Sequence, residues 1–240
     1  MKVIMTLVSV AVLAGLALTA SVSASGSPPA TCMGLTATIV GTSGDDVING
    51  TPGADVIAAG AGADQVWGHG GDDVVCGDSG NDTLQGGDGN DILLGGSGDD
   101  TLDGGVGGCC GPGNGGDDVL HGGPGEDTLH TSDSSTAASE LYGEQGNDQI
   151  FVWSGGSAYG GNGEDVIRQF TGDATLDGGN GDDDILDWND GGLRNETITM
   201  VGGNGDDVLA SEDATSTVDM EGGRGLDTCT SGDTTSGCEA

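Results

Sequence analysis

Gly77-Asp78-Ser79-Gly80-Asn81-Asp82-Thr83-Leu84-Gln85, Gly86-Gly87-Asp88-Gly89-Asn90-Asp91-Ile92-Leu93-Leu94 and Gly95-Gly96-Ser97-Gly98-Asp99-Asp100-Thr101-Leu102-Asp103 follow one another without a gap and repeat one nine-residue phrase. Working outward, frames of the same phase begin at 41, 50, 59 and 68 on one side and at 104, 113 and 122 on the other, so ten consecutive frames cover residues 41–130. Looser copies start at Gly143, Gly160, Gly178, Gly202 and Gly222. Leaving aside the frame at Gly104, position 4 is Gly and position 6 is Asp in all fourteen copies, and position 8 is Ile, Val or Leu in thirteen. Such self-similarity is the mark of a repeat architecture.

Each position has a physical reading. Glycines at positions 1, 2 and 4 permit positive φ and close backbone approach, so six residues can make a tight turn. The last three residues, such as Thr83-Leu84-Gln85, alternate polar, apolar, polar, as a very short strand with one inward side chain does. Two nonapeptides then complete a coil of about 18 residues, and successive coils stack as parallel strands about 4.8 Å apart. The fold class expected is all-β, a parallel β-roll or β-solenoid of Gly-Asp nonapeptide repeats, with a thin core of position-8 aliphatics. Where the spacing lengthens, the residue two before each new frame is Leu141, Ala158, Leu176, Met200 or Met220. The coil is expected to continue there with one Gly-Asp edge, the other edge carrying insertions such as Asp187 to Glu196 and strands near Thr175–Asp177, Thr197–Val201 and Thr217–Glu221.

Composition sets the chemistry. The chain has 52 Gly in 240 residues and only seven aromatic residues, with 4 Lys plus Arg against 40 Asp plus Glu, a net charge of −36. A thick core with a deep enzyme pocket is not expected from so few large side chains. The charge repels phosphate backbones and anionic membranes, which excludes nucleic acid as a partner, and it attracts cations. Self-repulsion on so little apolar surface would leave the chain expanded unless something positive joins it.

Met1-Lys2, an apolar run from Val3 to about Ala20, and Val22-Ser23-Ala24 read as an export signal over residues 1–24. The expected organisation continues with an N-terminal cap (25–40), a regular nonapeptide roll (41–130), an irregular continuation with edge insertions (131–230) and a C-terminal tail (231–240). A secreted, extracellular protein without membrane contact after cleavage is the corresponding expectation. Without Lys2, three arginines, Arg168, Arg194 and Arg224, face all 40 acids.

Stacked loops would place position-6 carboxylates and loop carbonyls together, and Ca²⁺ favours six to eight such hard oxygen ligands. Zinc or copper would want His and Cys, but His69, His121 and His130 have no metal-ligand spacing. The frames at Gly86 and Gly95 resemble the repeats-in-toxin, or hemolysin-type, calcium-binding nonapeptide G-G-x-G-x-D-x-U-x. That resemblance implies a parallel β-roll that orders when Ca²⁺ is supplied. It also implies ligation by Asp46, Asp55, Asp64, Asp73, Asp82, Asp91, Asp100, Asp118, Asp127, Asp148, Asp165, Asp183, Asp207 and Asp227. Two departures stand out: the family is often exported by a C-terminal signal, and it often appends the roll to a protease, lipase or toxin domain. Counting same-edge neighbours, including frame 95 with frame 113 and frame 122 with frame 143, gives eleven inter-loop sites as an upper estimate.

The frame at Gly104 replaces the Asp with Cys109 and the aliphatic residue with Gly111, and is expected to be a weak point or bulge. Six Cys in an exported chain suggest pairing. Cys32 and Cys76 are placed to pin the cap, Cys229 and Cys238 to close the far end, and Cys109-Cys110 to pair with each other or with another chain. Gly77-Asp78-Ser79-Gly80 is a set of repeat positions without a supporting His and Asp frame, so no nucleophile is assigned. Phe151, Trp153 and Tyr159 are read as an aromatic cluster around one turn, either packing or a contact patch for sugar or protein. The function expected is a calcium-binding module of the cell exterior, not an enzyme. The alternative is an extracellular enzyme, for example one acting on polysaccharide, built on the roll.

Overall fold

The computed structural model describes residues 29–105, 116–131, 138–153, 155–188, 196–212 and 217–231. The segment 1–24, Cys109, Cys110 and Cys238 lie outside them. Twenty-two strands and no helix occur among the described residues. Ten form sheet I, from Val47–Asn49 at one end to Thr228–Ser231 at the other, and ten form sheet II, from Ile39–Val40 to Thr217–Arg224. Every pairing within both sheets is parallel, and strands alternate between them along the chain. The molecule is an all-β parallel β-solenoid.

Inward side chains come from position 8. Ile48, Ile57, Val66, Val75, Leu84, Leu93, Leu102, Leu120, Leu129, Ile150, Ile167, Ile185 and Leu209 are buried in one continuous core. In the second half, Leu141, Ala158, Leu176, Met200 and Met220 occupy the facing row. Full burial of each such aliphatic contributes about 1.5–3 kcal/mol. The strands Ala174–Asn180, Thr197–Asn204 and Thr217–Arg224 contain the three segments expected there. Asp187, expected to open an insertion, is instead the last residue of the strand Asp184–Asp187 and is buried, in register with Gln169 and Ser211.

Two edges join the sheets. One edge carries the turns that run from sheet II to sheet I, beginning with 41–46; the other carries those from sheet I back to sheet II, beginning with 50–55. At the first end a two-stranded antiparallel hairpin, Thr31–Cys32 with Leu35–Thr36, is tied to the roll by the Cys32–Cys76 disulfide. Cys229 is also disulfide-bonded, and the expected partner Cys238 lies outside the described residues.

Register corrects the reading of the degenerate frame. Within the regular block coils are 18 residues long, as in Val66↔Leu84, but Leu93 pairs with Leu120 and Leu102 with Leu129, 27 residues on. Frames 104 and 113 therefore supply one turn between them. Gly104 and Gly105 stack on Gly86 and Gly87 as positions 1 and 2, while Gly116 stacks on Gly89 as position 4. Frame 113 consequently neighbours frame 86, and frame 122 neighbours frame 95. The expected 95/113 pair does not form, because the register places Leu120 beside Leu93 and Leu129 beside Leu102. The count of same-edge neighbours becomes twelve, nine on the first edge and three on the second.

Candidate metal centres

The turns are held by two side-chain ladders running in opposite senses. The backbone N–H of a position-6 Asp donates to Oδ1 of the position-6 Asp one coil later: Asp64 to Asp82, Asp82 to Asp100, Asp100 to Asp127, Asp127 to Asp148, Asp148 to Asp165, Asp165 to Asp183 and Asp183 to Asp207, at 2.7–3.0 Å. Asp46 begins this ladder and Asp227 ends it. The second edge has a shorter one, Asp55 to Asp73, Asp73 to Asp91 and Asp91 to Asp118. At position 5 the direction reverses. The N–H of Asn90 donates back to Asp72, that of Asp117 to Asn90, and that of Glu164 to Asn147. The acceptors in this ladder are Asp and Asn side chains at position 5, which accounts for those two residue types there.

Oδ1 is thus spoken for, and Oδ2 is not. Oδ2 of Asp64, Asp73, Asp82, Asp91, Asp100, Asp118, Asp127, Asp148, Asp165, Asp183 and Asp207 is buried without a hydrogen-bond donor among the described residues. Except at Asp64, whose turn begins with Ala59, it points into its own turn at the position-1 glycine. A methyl group on Gly86 would collide with Oδ2 of Asp91 and would stand 2.7 Å from the carbonyl oxygen of Gly104 in the next coil. Gly68 with Asp73, Gly77 with Asp82 and Gly160 with Asp165 repeat the arrangement. A carboxylate oxygen and a carbonyl oxygen therefore converge on one small space in the turns that begin at Gly68, Gly77, Gly86, Gly95, Gly143, Gly160 and Gly202, where glycine at position 1 leaves it open, whereas the turn of Asp64 carries Ala59 at that position.

A buried carboxylate oxygen with no donor costs free energy unless it is protonated or meets a cation. Burial, partly offset by the backbone hydrogen bond at Oδ1, pushes Asp73, Asp91, Asp127 and Asp165 up to about 6. The same cause, with neighbouring carboxylates adding to it, takes Asp100, Asp118, Asp148 and Asp183 to about 7. Asp64, Asp82 and Asp207 are raised for the same leading reason. Among the described residues no three His, Cys, Asp or Glu side chains gather as a metal-binding group. A cation here would be held by carboxylate and backbone oxygens, the donor set suited to Ca²⁺.

Three expected ligands differ from the other eleven. Oδ2 of Asp46 accepts from the N–H of Thr42 at 2.6 Å and from its hydroxyl at 2.8 Å, and Oδ2 of Asp55 accepts from the N–H of Thr51 at 2.6 Å. With Thr at position 2, these first two turns close on their own carboxylates. Asp227 ends the long ladder and is only half-buried.

The second edge loses its carboxylates in a legible way. The column Asp55, Asp73, Asp91, Asp118 continues as Ser139, whose hydroxyl accepts the N–H of Asp118 at 3.0 Å. Gly156, Ala174, Ile198 and Val218 then follow in register. Aliphatic burial replaces charge in this column. The aromatic residues expected to cluster are divided: Phe151 stacks on His130 on sheet I, Trp153 stacks on Phe170, and Tyr159 stacks on Tyr142 on sheet II.

The fold and its turns define a cation-binding solenoid, a parallel roll with a ladder of buried carboxylates along one edge and a shorter one along the other. Residues 40–75, 77–108, 112–135 and 136–156 match the family model of the RTX calcium-binding nonapeptide repeat in four copies. The matched stretch, within residues 40–156, carries RTX, or hemolysin-type, repeats, and these make a Ca²⁺-binding β-roll module. Among curated proteins, none matches it.

Proposed function

We propose that this protein is a secreted module whose roll orders as Ca²⁺ enters the turns, and that it serves the cell exterior as a structural or interaction element without catalysis. The observation that carries the reading is the run of eleven buried Asp Oδ2 atoms without a donor in a chain of net charge −36. Each such oxygen needs a positive partner once its carboxyl is ionised, and dications shared between stacked turns supply one while cancelling the repulsion along the ladder. The ligands proposed are Asp64, Asp73, Asp82, Asp91, Asp100, Asp118, Asp127, Asp148, Asp165, Asp183 and Asp207 with their loop carbonyls. Asp227 is a terminal ligand, and Asp46 and Asp55 are mainly structural. Binding and folding are then linked, so stability rises with free Ca²⁺. The apolar run before residue 24 and the disulfide pairing support export to an oxidising, calcium-rich compartment.

Calorimetric titration of Ca²⁺ into the chelator-treated chain, followed in parallel by circular dichroism, tests this. Saturable uptake of several ions with a cooperative gain of β signal is expected. A full β signal in chelator, or uptake no greater than diffuse screening, removes the proposal.

A further inference from the structure

The outer face of sheet I carries a groove of about 560 Å³ that the calcium turns do not use. Its floor is the position-9 column of successive coils: Trp67, Gln85, Asp103 and His130 pair in register across the strands Gln65–Gly70, Thr83–Asp88, Thr101–Asp103 and Thr128–His130. Thr101 lies beside them, and Trp153 closes the far side. Both ends are aromatic, and the His130–Trp153 end is braced. His130 stacks on Phe151 with ring centroids 4.7 Å apart, and Trp153 stacks on Phe170 at 4.1 Å. Trp153 is nevertheless 40% exposed.

From this arrangement we infer that the groove is a binding site for a linear neutral polysaccharide, with Trp67 and Trp153 as stacking platforms and Gln85, Thr101 and Asp103 as hydroxyl partners. Four features of the groove lead there. Its volume lies within the ordinary range of ligand sites, about 300–1,000 Å³. Flat aromatic faces offer apolar contact to the C–H faces of pyranose rings, while indole N–H, amide, hydroxyl and carboxylate groups supply donors and acceptors at the rim. The polar floor repeats at the strand spacing of about 4.8 Å, comparable to the advance per sugar of an extended β-1,4-linked chain. Charge decides between classes of glycan: Asp103 is the acidic residue of the lining and the chain as a whole is strongly negative, which disfavours uronate or sulfated polymers. Burial also lowers the proton affinity of His130, keeping it an uncharged ring.

The inference rests on the calcium-ordered roll, because the groove exists only where the coils stack. The test uses the full chain saturated with Ca²⁺, its β signal first verified by circular dichroism. Linear hexasaccharides of β-1,4-glucose, β-1,4-mannose and β-1,4-N-acetylglucosamine are titrated by calorimetry and tryptophan fluorescence, with a hexagalacturonate as the anionic comparison. At least one neutral chain is expected to bind. Trp67→Ala, Trp153→Ala and Gln85→Ala should each weaken it tenfold or more, while Trp188→Ala, at an exposed indole outside the groove, leaves it unchanged. A chain that stays unordered in Ca²⁺ overturns the folding proposal and this one with it. An ordered chain that binds none of the neutral glycans, or that binds them equally well after both groove tryptophan substitutions, overturns the groove assignment alone.

Discussion

The backbone N–H of Asp91 donates to Oδ1 of Asp118 at 3.0 Å across 27 residues, where the preceding rung, Asp73 to Asp91, spans 18 at 2.9 Å. The bond is the same, so the additional nine residues leave the ladder intact. Gly104 and Gly105 keep positions 1 and 2 of that turn, and Gly116, Asp117 and Asp118 keep positions 4 to 6.

Deleting residues 106–114 should therefore leave a complete turn, Gly104-Gly105-Gly115-Gly116-Asp117-Asp118. We expect the shortened chain to keep its calcium stoichiometry and its β signal. Loop-closure entropy changes slowly with length, by about 0.6 kcal/mol per doubling, so its stability should lie within roughly 1 kcal/mol of the parent. Loss of bound ions or of cooperative folding, seen by titration and thermal melting, would show that the stretch has a part in the turn that its register does not indicate.

Asp100 and Asp46 share a ladder but not an environment. Oδ2 of Asp100 is buried without a donor, whereas that of Asp46 is held by Thr42. Asp100→Asn retains an acceptor for the N–H of Asp82 while removing the charge a dication needs. It should lower calcium affinity on the order of tenfold and blunt cooperativity. Asp46→Asn should change affinity less than twofold. Equal effects at the two positions, measured by titration, would mean that the buried oxygen does not mark the ligand.

The nonapeptide phase made the roll and its inward aliphatics legible, because strict Gly and Asp recurrence and the apolar residue at position 8, from Ile48 to Leu209, leave few ways to stack. It also revealed that the second half keeps one Gly-Asp edge, since Leu141, Leu176 and Met200 stay in the strand phase. Other features depend on three-dimensional pairing that a linear period does not carry. Which frame neighbours frame 86 is settled only by the pairing of Leu93 with Leu120. The different state of Asp55 follows from a Thr at position 2, one residue in a turn that otherwise fits the pattern. Asp187 looked like loop because acids and asparagines surround it, yet register with Gln169 and Ser211 draws it inward. Trp67 and Trp153 are 86 residues apart in sequence, and only coil stacking brings them to one groove.

Ala59 stands at position 1 of one turn, but in turns such as that of Gly86 glycine is required there by contact, not only by turn conformation. A Cβ on Gly86 meets Asp91 Oδ2 and the Gly104 carbonyl, whereas one on Gly44 has nothing within 4 Å. Gly86→Ala should destabilise the calcium form by about 1–3 kcal/mol, the usual cost of overpacking. Gly44→Ala should be neutral or slightly stabilising through the unfolded state. Chemical denaturation at saturating Ca²⁺ distinguishes them, and a tolerated Gly86→Ala would mean that the turn of Asp91 can widen to take a methyl group, as the turn of Asp64 does with Ala59.

The ladder also fixes the sign of the pH response. Asp100, Asp118, Asp148 and Asp183 are raised by burial from the usual 3.8 to about 7, and Asp73, Asp91, Asp127 and Asp165 to about 6. A carboxyl whose folded-state pKa lies above its unfolded value favours folding only while it is protonated. That contribution is complete below the unfolded value and is lost as pH rises through 6 to 7. In chelator, the chain should be most ordered near pH 4 and should lose β signal between pH 5 and 8. With Ca²⁺ in excess the direction reverses, because the ion binds the ionised form and must displace protons below about pH 7. Calcium affinity should then fall as pH drops from 8 to 5, with protons released on binding at pH 6 and few at pH 8. Circular dichroism across this range with and without Ca²⁺, together with calorimetry in buffers of different ionisation enthalpy, measures both. A metal-free chain that gains order as pH rises would show that these carboxylates are not buried against the core.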